Sequence, residues 1–125
     1  MPTDLKQDHN RIRSLLSQLE AMVAHDHPPP VGDLADVRRA LFTEHREHVQ
    51  REDAFVQTRL GKSALAHARC CVIESIDRKI ADQIRRWTGA EVHIGWNAYR
   101  ADTTLLAKQL RTQMNDEEAL ILSLF

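Results

Sequence analysis

Phe42-Thr-Glu-His-Arg-Glu-His-Val-Gln-Arg-Glu-Asp-Ala-Phe55 carries polar residues where a helix ordinarily places its core. The apolar series of this segment runs Leu34, Val37, Leu41, then His48, Glu52, then Phe55. Steps of three and four residues mark the buried stripe of a helix. His48 and Glu52 therefore fall on the inward face, one turn apart. Buried polar groups without partners are costly, so both need a partner inside the structure. A metal ion is one partner that satisfies both at once.

The stripes extend outward from that segment. Four glycines and four prolines in 125 residues leave room for long helices. The periodicity predicts four. The first spans residues 4–24, capped by Thr3 or Asp4, with the stripe Leu5, His9, Ile12, Leu16, Leu19, Val23. The triple proline at 28–30 closes it off. The second begins at an Asp33 cap and ends near Leu60, before Gly61. The third runs from a Ser63 cap to about Trp87, stopped by Gly89, with the stripe Val72, Ile73, Ile76, Ile80, Ile84, Trp87. The fourth covers residues 91–123, with the stripe Trp96, Tyr99, Thr103, Leu106, Leu110, Gln113, Glu117, Leu120, Leu124. Short connections make neighbours antiparallel, so the expected fold is an all-α, up-down-up-down four-helix bundle, one domain over residues 1–125.

Composition narrows the function classes. A hydrophobic content of 42% and a charged content of 28% suit a globular protein. A formal net charge of −1, with no long basic stretch, gives no nucleic-acid footprint. No apolar run approaches a membrane span. The polar start Met-Pro-Thr-Asp-Leu-Lys is no signal peptide and points to the cytoplasm. The adjacent cysteines, Cys70 and Cys71, read as reduced thiols, because neighbours form a disulfide only with strain. Gly61-Lys-Ser63 is no phosphate loop, since position 56 is Val rather than Gly and no strand precedes it.

Polar residues interrupt three of the four stripes. The first helix contributes His9, the second His48 and Glu52 with His45 one turn earlier, and the fourth Gln113 and Glu117 with Glu118 beside it. A first hairpin pivoting near Pro29 sets residue 9 opposite about residue 49, so His9 meets His48. A second pivot near residues 61–62 brings Cys71 and Glu74 to the same layer. Imidazole nitrogens and carboxylate oxygens suit iron, zinc, manganese and similar divalent ions. A bundle core is a place where facing helices build such sites. The alternative is a buried hydrogen-bonded His–Glu network with no ion. His25, His27 and His93 fall in or near connections and are expected to be exposed, while Trp87, Trp96 and Tyr99 fill the far end of the core.

Asp8-His9-Asn-Arg-Ile12, His48-Val-Gln-Arg-Glu52-Asp53-Ala-Phe55 and Asn115-Asp-Glu117-Glu118-Ala-Leu120 together resemble the hemerythrin-like, or HHE cation-binding, pattern across essentially the whole chain. The resemblance implies a four-helix bundle with a non-haem metal centre near one end, often di-iron. It implies a role in binding oxygen or nitric oxide, in iron handling or in stress sensing. His9 matches the family's first-helix histidine, and His48 with Glu52 its second-helix pair. The third helix departs from the pattern: where the family carries a His-x-x-x-His pair, this chain has His67 and Cys71. Gln113 stands where a fourth-helix histidine is usual. The expected ligands are His9, His48, Glu52 and Glu117, with the third-helix donor open among His67, Cys71 and Glu74 and the roles of Gln113 and Glu118 open as well. The expected cofactor is a divalent metal, iron favoured over zinc, mono- or dinuclear. Turnover is not expected, since no nucleophile–base pair is visible. A bundle without metal, acting by protein contacts, is the other reading, and Leu122 and Phe125 could then support a homodimer.

Overall fold

The computed structural model describes residues 3–61 and 63–123. Five helices and no strand occur among them: α1 (Thr3–Val23), α2 (Val31–Leu60), α3 (Ala64–Arg86), α4 (Gly89–Ile94) and α5 (Trp96–Ser123). α1 packs on α2 and α5, α3 packs on the same two, and the short α4 leans on α5. The long helices thus close a ring of neighbours. None of the described helices is long and apolar enough to cross a membrane.

The start of α2 lies three residues earlier than the sequence suggests, capped by Pro30 instead of Asp33. The Pro30 carbonyl accepts the N–H groups of Asp33 and Leu34. Pro30 at φ −52° is already suited to precede a helix. Asp33 is therefore not the cap. Its carboxylate sits in the first turn, favoured by the helix dipole there. α2 ends where Gly61 takes φ 59° and returns its N–H to the Gln57 carbonyl. Only glycine adopts this backbone without penalty. The Ser63 carbonyl accepts from His67 N–H, so α3 begins directly after the predicted residue.

The predicted fourth helix is two helices. Thr88 accepts from the Glu91 N–H through its side chain and opens α4, so Gly89 is the first residue of a helix rather than a stop. Gly95 then separates α4 from α5. A Cβ at Gly95 would lie 3.1 Å from the Trp87 ring, so the indole needs that backbone bare. Trp87 and Tyr99 meet edge to face at 5.6 Å, and Trp96 stacks on Tyr99 at 5.7 Å. These aromatics close one end of the core, as the sequence suggests. His25, His27 and His93 are exposed.

Every stripe residue of α1 is buried. On α2 the inward line ends on Val56 rather than Phe55, which is half-buried. On α3, Val72 is 48% exposed and leaves the core to Ile73, Ile76 and Ile80. On α5, Met114 takes the buried place beside the half-buried Gln113. Leu124, Phe125 and the side chain of Leu122 lie outside the described residues, as does Lys62 at the second connection.

Candidate metal centre

At the end opposite the aromatics, the inward faces of three helices turn polar. His9 on α1, His48 and Glu52 on α2, and Glu117 on α5 are all buried. One nitrogen or oxygen of each lies within 4.8 Å of the others. His9 Nε2 is 2.9 Å from His48 Nε2, 3.2 Å from Glu117 Oε2 and 3.7 Å from Glu52 Oε2. His48 Nε2 is 2.6 Å from Glu52 Oε2 and 3.5 Å from Glu117 Oε2. These separations bracket the roughly 3.3 Å edge of a tetrahedron whose centre lies about 2.0 Å from each donor. Among the described residues, no other group of three or more such side chains converges this way.

Each of the four side chains has its second polar atom turned outward and held. His9 Nδ1–H donates to Glu118 Oε1 at 2.9 Å, and Arg13 in turn donates to that oxygen at 2.7 Å. His48 Nδ1–H donates to Asp8 Oδ2 at 3.1 Å. Arg51 grips Asp8 with both branches, at 2.9 and 2.7 Å, and Arg11 adds a further contact. Carboxylates can only accept, so these bonds leave each Nε2 facing the cluster. A carboxylate behind an imidazole is the usual support of a metal-ligating histidine. Glu52 Oε1 accepts from Arg69 Nε at 3.1 Å, and Glu117 Oε1 accepts from Gln113 Nε2 at 3.0 Å. One oxygen of each carboxylate is thus left for the centre.

The inward atoms are short of hydrogens. Glu52 Oε2 is fully buried, and its near neighbours are the inward nitrogens of His48 at 2.6 Å and His9 at 3.7 Å. His9 and His48 meet nitrogen to nitrogen, so a single hydrogen serves both. Such a convergence of lone pairs suits a cation, and two imidazoles with two carboxylates form a donor set for a divalent ion. With no ion, protons take its place. Burial pulls both imidazoles towards neutrality, but Glu117 and Glu52 outweigh it and raise His9 to about 9 and His48 to about 10. Burial also opposes the charge of Glu52, and His48 and His9 overcome this to hold its carboxyl well below the usual range.

The third-helix candidates do not reach this cluster. His67, Cys71 and Glu74 are exposed on α3; His67 and Cys71 pair with each other at 3.7 Å, and Glu74 with Cys70 at 3.5 Å. Both cysteines are free. The residue that α3 sends inward is Arg69, whose guanidinium is no metal ligand. Its side chain is 4% exposed and lies 2.6 Å from Glu52 through Nη2 and 2.8 Å from Asp53 through Nη1. His45 is buried but turns to Asp77 at 3.4 Å, away from the cluster. Asp8, which stands between Leu5 and Ile12 on the α1 stripe, is also outside the expected ligand set; its position on the apolar face is the signal that marks it.

Asp8→Ala is expected to weaken Zn(II) binding about 10–100-fold, with Asp8→Asn falling in between because it keeps an acceptor for His48 Nδ1–H. Chelator competition measures this; unchanged affinity in Asp8→Ala would mean that His48 needs no support.

The family model described as Hemerythrin HHE cation binding domain matches residues 1–125, the whole chain. Searches of curated proteins and of solved structures return no match.

Proposed function

The chain belongs to the hemerythrin HHE cation-binding family, and from that membership together with the four converging donors we propose that it is a single-domain bundle holding one divalent metal ion through His9, His48, Glu52 and Glu117. The observation that carries the reading is the division of labour in each side chain: one atom free and inward, the other fixed from outside. His48 Nε2, at 2.6 Å from Glu52 Oε2, and the inward atoms of His9 and Glu117 converge so closely that one divalent ion would satisfy all four together. The closed ring of long helices supports an up-down-up-down four-helix topology, with α4 as a prelude to the fourth helix.

Iron is the favoured ion, since a mixed imidazole and carboxylate set suits it, and zinc is the competitor. The role that follows is binding or sensing a small diatomic ligand such as oxygen or nitric oxide, or holding iron. When bound, iron would supply a Lewis-acidic, redox-active coordination position. The chain supplies the rest: it orients two imidazoles, fixes two carboxylate oxygens and shields all four from water. The free thiols fit a reducing cytoplasm.

Elemental analysis of protein purified without chelator tests the proposal, with His48→Ala as the control. A stoichiometric metal content that disappears in the variant is expected. Content near zero, unchanged by added Fe(II) or Zn(II), would sink the metal reading and leave a metal-free regulatory bundle in its place.

A further inference from the structure

We infer that Arg69 and Gln113 restrict this centre to a single ion by capping the carboxylate oxygens that a second ion would need. The inference rests on the metal reading above and sharpens it. Two adjacent ions share carboxylates, and a bridging carboxylate gives one oxygen to each. Glu52 and Glu117 are the two carboxylates that face the cluster with a free oxygen. Glu52 Oε1 is occupied by Arg69, through Nε at 3.1 Å and Nη2 at 2.6 Å. Glu117 Oε1 is occupied by Gln113 at 3.0 Å. The guanidinium of Arg69 has no lone pair to offer a metal, and Gln113 faces Glu117 with its amide nitrogen, which donates a hydrogen and offers no lone pair.

Charge points the same way. With neutral imidazoles, one divalent ion balances Glu52 and Glu117. Arg69 is balanced by Asp53 at 2.8 Å, Arg51 by Asp8 and Arg13 by Glu118. A second divalent ion would bring two uncompensated charges into a buried site, next to a guanidinium that does not give up its proton. Uncompensated buried charge is costly. Among the described residues α3 adds no donor to the cluster that would offset this, since His67, Cys71 and Glu74 are exposed. Arg69 thus stands on the helix that contributes no ligand to the cluster, and Gln113 on the helix that contributes one.

The test is stoichiometry, read by Co(II) titration and by elemental analysis. The unaltered protein is expected to take up about one ion per chain, and the double variant Arg69→His with Gln113→His about two, since it replaces both caps with nitrogen donors. About two ions in the unaltered protein would overturn the inference while leaving the metal reading intact. No ion at all would overturn both. A double variant that keeps its helical circular dichroism yet still binds about one ion would show that the caps do not set the number. If that variant fails to fold, the count in the unaltered protein decides the question.

Discussion

Replacing Arg69 by leucine is expected to lower the stability of the metal-free protein by about 3–5 kcal/mol, the range for breaking a buried ion pair from one side. The Glu52 side chain has no exposure and that of Arg69 only 4%. Leucine fills part of the space but leaves the outer oxygen of the buried Glu52 carboxylate unpaired, with only its inner oxygen still facing His48 and His9. Arg69→Leu combined with Glu52→Leu should recover most of the loss, because the pair itself contributes little net stability once its desolvation is counted. The coupling between the two substitutions is then the quantity to report. Urea denaturation in chelator measures all three proteins. A single-variant loss below about 1 kcal/mol would mean that Arg69 is held loosely and water reaches Glu52.

Zinc affinity is expected to rise by about tenfold per pH unit for each proton displaced, that is about 100-fold between pH 6.5 and 8.5 for one proton and about 10,000-fold for two. Burial pulls His9 and His48 down, and Glu117 and Glu52 pull them further up, to about 9 and about 10 from 6.5. The metal-free cluster therefore holds protons at neutral pH where the ion would sit. Because the folded values are raised, the stability these protons lend is fully present below about pH 6.5. It is lost as the pH climbs through 9 to 10. The metal-free protein should weaken over the same range in which the ion binds more tightly. Chelator competition at three pH values, with urea melts alongside, follows both trends. A flat affinity profile would show that the imidazoles are already deprotonated before the metal arrives.

Much of this was legible in the order of residues. The α1 stripe is buried throughout, and pairing across the first hairpin places His9 against His48. Those inferences rest on a strict helical period and a tight proline-marked turn, both of which are local. The failures cluster where the question put to the sequence was too narrow. Arg69 lies eleven residues before Ile80, about 20° from it around the helix, squarely on the α3 stripe. Periodicity alone marks it as inward. The donor-type residues His67, Cys71 and Glu74 lie well off that line. The break at Gly95 was hidden for a different reason. There the Trp87 ring lies against the backbone, a contact that no local pattern encodes. The choice between Gln113 and Met114 as the more buried residue is likewise a matter of small rotations about the edge of a stripe.

The continuous apolar cluster runs from Ile12 through Leu16, Leu34 and Ile80 to Trp87, Trp96 and Tyr99 without including any of the four inward donors. Leu5 and Ile12 flank His9 along α1, and Leu41 and Val56 flank His48 and Glu52 along α2, so the polar cluster is set into apolar packing and not apart from it. The centre is therefore part of what keeps the helices together, and a replacement at Glu52 or Arg69 changes stability and ligation in one step.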